Sequence, residues 1–140
     1  SKNKDITILK CTSQYPCDIK NLNLNSIKYL RKIADELCKN VKIGLSDHSR
    51  SIGVILRAVH KFKVSVVELH IDSDSKGVEF SPGHCWLPDE IKLLKTLLDD
   101  GFLADGDISF GPTAAEEEER LWRADPKDGL RPLTEIRRAY

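Results

Sequence analysis

Apolar residues along this chain fall into short runs, each followed by a stretch of helical periodicity, three times over. DITILKC, residues 5–11, opens as a strand and gives way to the turn-like TSQYPC. In SIKYLRKIADELCKN, residues 26–40, Ile27, Leu30, Ile33, Ala34 and Leu37 recur at helical spacing. This predicts a helix with one buried face, capped by Asn25 or Ser26. VKIGL, residues 41–45, is the second strand, and Ser51 precedes a short apolar helix, IGVILRAVHKF. The third strand, VSVVELHI (64–71), is apolar almost throughout, as expected of a parallel strand covered on both faces. After the loop DSDSKGVEFSPGHCWL, Pro88 suits a first helical position, and Asp89 and Glu90 suit the positive end of the dipole. This helix, PDEIKLLKTLLDD, is expected to stop at Gly101.

Residues 102–140 read differently, with Gly and Pro punctuation, then AEEEERLWR, then DPKDGLRPL. The four glutamates read as a solvated face. Pairs Glu116–Arg120 and Glu119–Arg123 are expected to support a helix there by about 0.3 kcal/mol each. The expected division is a βα portion, 1–101, and a C-terminal extension or linker, 102–140. Repeated βα units imply parallel strands joined by right-handed crossovers. Three such units cannot close a barrel, which takes about eight strands and about 250 residues. The α/β chain is therefore a small open sheet or part of a larger barrel.

Composition narrows the partners. The 140 residues carry 22 Lys plus Arg and 22 Asp plus Glu, a net charge of zero. That balance argues against nucleic acid or an anionic membrane, both of which reward a basic surface. No apolar run approaches the roughly 18–20 residues that span a bilayer. SKNKDITIL holds no signal-peptide core, and a cytoplasmic location is expected. Cys11, Cys17, Cys38 and Cys85 contain no C-x-x-C pair, so they read as reduced thiols rather than a zinc ribbon. The chain begins without Met and is expected to be cut, processed or a fragment.

In a parallel α/β fold the active site forms where strands end and βα loops begin. The polar groups of this chain collect there: Thr12, Ser13 and Tyr15 after the first strand, Ser46, Asp47 and His48 after the second, Glu68 and His70 at the third. Strand side chains alternate, so Ser46 shares a face with His48, Asp47 takes the other, and Glu68 shares a face with His70. If the shared faces meet, two imidazoles and a carboxylate converge. Two neutral imidazoles can hold a divalent ion with open coordination positions; equally, both can be ordinary strand-end histidines bonded to backbone. His84 is a candidate for substrate contact or for packing beside Trp86, and His60 reads as structural. DSDSKG resembles the start of a calcium loop, but Lys76 and Gly83 stand where ligands belong, which excludes an EF-hand.

KCTSQYPC, IGLSDHS and VVELHIDSDSKGVEFSPGHCWLPDEI, in this order and spacing, resemble the sialic acid synthase family, N-acetylneuraminate synthase and its relatives. The resemblance covers roughly residues 5–100 and is to the last three βα units of a TIM-type (β/α)8 barrel, incomplete on its own. It implies that phosphoenolpyruvate condenses with an N-acetylated, N-acetylmannosamine-like amino sugar to a nonulosonic acid, with Mn2+ or Mg2+ as cofactor. His48 and His70 fall on the family's metal-binding histidines. Glu68 falls on a carboxylate near sugar and metal, and Ser46 and Asp47 on positions lining the phosphoenolpyruvate and sugar site. Glu68 and Asp47 are thus the candidate catalytic groups. Tyr15 matches a tyrosine of the sugar pocket, and Ser13 stands where some members have Asn. The GHCWLP loop departs from the GPDH-type loop of many members. The resemblance further implies five preceding βα units, which supply phosphate-binding basic residues and another glutamate, and a following antifreeze-like domain. The chain is expected to be a portion of such a synthase and, with its strand edges uncovered, to form a homo-oligomer. The alternatives are a non-catalytic fragment that binds metal, sugar or a partner chain, and a different metal-dependent aldolase.

Overall fold

The computed structural model of the chain describes residues 6–37 and 41–139. Cys38 and Asp5, both part of expected elements, lie outside the described residues. Three parallel strands, β1 (Ile6–Cys11), β2 (Val41–Asp47) and β3 (Val66–Leu69), form a sheet with β2 in the middle. Helix α1 (Ser26–Leu37) joins β1 to β2, α2 (Ile52–His60) joins β2 to β3, and α3 (Pro88–Asp105) follows β3. The α/β class with parallel strands is as expected.

Burial explains which face of each strand does what. Ile43 and Leu45 of β2 sit in a core with Ile27 and Ala34 of α1 and Val54 and Ala58 of α2. Val67 and Leu69 of β3 join Ile55, Trp86 and Leu94 in a second cluster between α2 and α3. Alternation therefore turns Lys42, Gly44, Ser46 and His48, with Val66, Glu68 and His70, to the opposite side. The strands pass so close there that a Cβ on Gly44 would lie 2.6 Å from the Val66 carbonyl oxygen and collide with the Leu9 side chain. Arg31 of α1 donates to the Phe62 and Lys63 carbonyls at 2.7 and 3.1 Å, tying α1 to the turn that leads into β3.

Several expected boundaries move: β2 runs past Leu45 to Asp47, and α2 ends at His60 rather than Phe62. β3 is shorter than 64–71, and Ile71 pairs only through an isolated parallel bridge to Trp86. Helix α3 runs through Gly101 to Asp105. Gly101 is a packing glycine, not a stop: a Cβ there would lie 2.7 Å from the His60 ring, and His60 also stacks on Phe102 at 4.6 Å. The left-handed residue that ends the helix is Gly106, with φ of 51°.

The chain divides into two compact units, Ser1–Asp105 and Gly106–Tyr140. Within the second, α4 (Ala114–Glu119) begins with a capping box in which Thr113 and Glu116 each accept from the other's backbone amide. Arg120 pairs with Glu117 at 3.0 Å rather than with Glu116, because the box occupies the Glu116 carboxylate. Asp125 accepts from the Lys127 and Thr134 amides at 2.8 Å, fixing the approach to α5 (Thr134–Arg137). Hydrogen bonds from Thr134 and then Lys127 hold its carboxyl well below the usual range. Among the described residues no helix is long and apolar enough to cross a membrane.

The close approach at Gly44 yields a test. Gly44→Ala is expected to lower stability by about 1–3 kcal/mol, read from chemical denaturation, because a backbone carbonyl cannot move aside cheaply.

Candidate active site at the strand ends

The register of β2 against β3 sets Ser46 opposite Glu68. The Ser46 hydroxyl donates to Glu68 Oε1 at 2.7 Å. Two residues further along each segment, the His48 and His70 rings meet with centroids 5.0 Å apart at 65°. His48 is buried, and its Nδ1 lies 2.9 Å from the Thr12 carbonyl oxygen. A carbonyl can only accept, so Nδ1 carries the proton and Nε2 the lone pair. Tyr15 stacks on His48 at 4.2 Å and stands edge-on to His70 and His84 at 5.5 and 5.2 Å. Four rings from four successive segments thus meet in one cluster.

The loop before α3 is pinned against the end of β3. Trp86 N donates to the His70 carbonyl and Asp72 N to the Trp86 carbonyl, both at 2.8 Å. These bonds hold His84 and Cys85 beside His70. His70, Glu79, His84 and Cys85 offer ligand atoms all within 4.8 Å of one another. Glu79 Oε2 lies 3.6 Å from His70 Nδ1, and Cys85 Sγ donates to the Glu79 carbonyl at 3.4 Å. Burial, and then the Glu79 and Asp72 carboxylates, push the Cys85 thiol up, with Arg50 opposing. His84 is 4% exposed and its Nδ1 is buried without a hydrogen-bond partner.

Asp47 and Ser13 stand apart from this cluster. Asp47 is fully buried on the helix side of β2, where its carboxylate accepts from Ser49 N, Ser49 Oγ and Arg50 N at 3.2, 2.8 and 3.1 Å. It shapes the loop in which Arg50 takes a left-handed φ of 54°. Arg50 pairs with Glu90, whose other oxygen accepts from Leu87 N at 2.8 Å. The Leu87 amide first, then Arg50, hold the Glu90 carboxyl below its ordinary value. Ser13 is exposed, with its hydroxyl 3.5 Å from Cys11 Sγ. His60 packs on Phe102, away from the strand ends. Asp72 accepts from the amides of Asp74, Ser75 and Gly77, making DSDSKG a self-satisfied turn. The sequence reading missed Glu79 and Cys85 as members of the cluster. The neighbouring His84–Cys85 pair was the available signal for Cys85; nothing in the spacing brings Glu79 back to His70.

Such an arrangement defines a parallel α/β protein whose polar side chains gather at the carboxyl ends of its strands. The chain belongs to the NeuB family, whose model matches residues 1–108. The resemblance to sialic acid synthases read from the sequence is thereby borne out. The chain is 40% identical over 78 residues to a pseudaminic acid synthase of Campylobacter jejuni, covering 56% of this chain and 21% of that protein. It is 31% identical over 98 residues to the N,N'-diacetyllegionaminic acid synthase of that species, covering 69% and 27%. Among solved structures it is similar to the N-acetylneuraminic acid (sialic acid) synthetase from Leptospira borgpetersenii serovar Hardjo-bovis in complex with citrate. That match has a TM-score of 0.57 and 29% identity, over 81% of this chain and 38% of that one. The chain spans about a quarter of the length of the curated relatives it matches.

Two outcomes follow from the loop that Asp47 and Glu90 hold. Asp47→Ala leaves the amides of half-buried Ser49 and Arg50 without their acceptor, and is expected to cost about 1–3 kcal/mol in urea denaturation. Because the folded-state value of Glu90 is depressed, its contribution is fully present above the ordinary glutamate value of about 4.3. It is lost as pH falls through the folded value. Melting temperature followed from about pH 7 to about pH 3 should therefore fall less steeply in Glu90→Gln than in the wild type.

Proposed function

We propose that the chain is part of a nonulosonic acid synthase that condenses phosphoenolpyruvate with an N-acetylated amino sugar and releases phosphate. The observation that carries this reading is the Ser46–Glu68 hydrogen bond beside the paired His48 and His70 rings, at the carboxyl edge of a parallel sheet. Membership of the NeuB family supports it, as do similarities to synthases of pseudaminic, diacetyllegionaminic and sialic acids. The three βα units are, in this reading, the last of an eight-unit barrel, and the open face of the sheet is its interior.

The donor chemistry suits a divalent cation. His48 is fixed by Thr12 in the tautomer that leaves Nε2 free, and His70 stands beside it. A cation held by these two imidazoles would polarise the open-chain sugar aldehyde as a Lewis acid. The rest falls to this chain's own groups. Ser46, by donating to Glu68, keeps that carboxylate turned along the sheet face toward the sugar. Glu68 then accepts hydrogen bonds from the substrate hydroxyls. Tyr15 and His84, edge-on to one another beside His48 and His70, would line the sugar pocket. Asp47 acts through the Ser49–Arg50 loop, and Ser13 contacts the sugar from the loop after β1. The enol carbon of phosphoenolpyruvate bonds to the aldehyde carbon, water adds to the neighbouring carbon, and phosphate departs.

Ile6, Ile8, Val66 and Ile71 are 40%, 36%, 38% and 62% exposed, so the sheet presents apolar surface that the preceding barrel units would cover in the longer protein. Expressed as 140 residues alone, the chain is expected to elute from gel filtration as a dimer or larger species. A strict monomer at high concentration counts against that.

The assay is phosphate release from phosphoenolpyruvate with candidate N-acetylated amino sugars, on the protein carrying this chain. Loss of a group that merely orients a metal ligand costs about 10–100-fold, so His48→Ala and His70→Ala should each lower turnover at least about 100-fold. Wild-type turnover in both would remove the synthase mechanism.

A further inference from the structure

The imidazole pair does not exhaust the donors at this edge of the sheet. Beside His70 stand Glu79, His84 and Cys85, whose ligand atoms lie within 4.8 Å of each other and of His70. Donors around a tetrahedral zinc ion, at about 2.0–2.3 Å from the metal, lie about 3.5 Å apart. The four groups therefore need draw together by only about one ångström to share one ion. Their framework is rigid where it matters, since the two backbone hydrogen bonds between Trp86 and the His70–Asp72 segment hold His84 and Cys85 against His70. His84 supplies a second, independent sign: its Nδ1 is sealed from solvent with nothing to bond to. An unpaired buried polar group costs free energy that a ligand would relieve. His60 Nε2 and Trp86 Nε1 also lack partners, but neither belongs to a cluster of ligating groups among the described residues.

We propose that this chain binds its cation with Cys85 and His84 as well as His70, and so selects zinc or cobalt(II) over magnesium or manganese. The inference rests on the reading of His70 as a ligand of the synthase metal. Thiolate and imidazole favour borderline ions, whereas magnesium and manganese prefer carboxylate, carbonyl and water oxygens. Glu79 alone among the four is an oxygen donor. One cation is proposed, since His70 is common to the His48 pair and to this group. On binding, the Cys85 thiol passes its proton to solvent and the sulfur takes the metal. The site departs from the sequence expectation of Mn2+ or Mg2+ because the GHCW loop brings a sulfur to the edge of the pocket.

Cobalt(II) titration of the protein carrying this chain tests the assignment without reference to turnover. One equivalent should bind with a near-ultraviolet thiolate-to-cobalt charge-transfer band. In Cys85→Ser that band should vanish and zinc should compete at least about tenfold less well, while magnesium binding is unchanged. Cys85→Ala serves equally should the serine variant misfold. On the wild-type protein, zinc should slow alkylation of Cys85, followed by mass spectrometry, and magnesium should not. Cobalt bound without the band, a band that survives loss of Cys85, or equal protection by magnesium overturns the proposal. Cobalt bound without the band leaves the synthase reading intact. That reading fails separately, if the wild-type protein releases no phosphate with any candidate sugar.

Discussion

The parallel register between β2 and β3 is the constraint on which everything at the strand ends depends. With Ser46 opposite Glu68, the two-residue period of the strands carries His48 and His70 to the same side. A slip of one residue would turn Glu68 and His70 toward α2 and α3, and Val67 and Leu69 toward the site. Such a slip is expensive, since it would pull Val67 and Leu69 away from Ile55, Trp86 and Leu94. The apolar cores behind the sheet thus set the geometry of the polar groups in front of it. Gly44 belongs to the same constraint, because only a residue without Cβ lets β1 and β3 crowd β2 at that height.

A second tether does for the loops what the sheet does for the strands. The Ile71–Trp86 bridge and the burial of Trp86 against Ile55 and Leu94 attach the segment before α3 to the end of β3. His84 and Cys85 are therefore held by backbone rather than left on a free loop. On the other side, Cys17 N donates to the His48 carbonyl at 2.8 Å, bringing the loop after β1 over the end of β2. Tyr15 rides on that loop. The ring cluster is a product of these two fastened loops, not of strand pairing alone.

Chemistry and stability meet in the buried polar residues. Asp47 and His48 are adjacent, both buried, and face opposite sides of β2. Asp47 is satisfied by the loop it organises, and His48 by a carbonyl that fixes its tautomer. One residue stabilises the turn, and its neighbour presents a lone pair. The relatives are named for different acids: pseudaminic, N,N'-diacetyllegionaminic and N-acetylneuraminic. A scaffold of this kind can keep the edge of its sheet and vary the loop before α3, which is where this chain carries GHCW.

Periodicity alone determined the three strand-and-helix units, the parallel sheet they build, and the pairing of Ser46 with His48 and Glu68 with His70 on shared faces. These are local properties: side chains alternate along a strand and recur every three or four residues along a helix, whatever surrounds them. The motif segments also carried the family. Only the tertiary structure decided that Gly101 lies inside α3, because His60 from another helix needs the space. It alone placed Asp47 with Ser49 and Arg50, ended β3 at Leu69, and exchanged the expected Glu116–Arg120 pair for a capping box. It also brought Glu79 and Cys85 to His70, a contact between a turn, a loop and a strand end. Such contacts depend on where chain segments cross in space, and no spacing along the sequence encodes that.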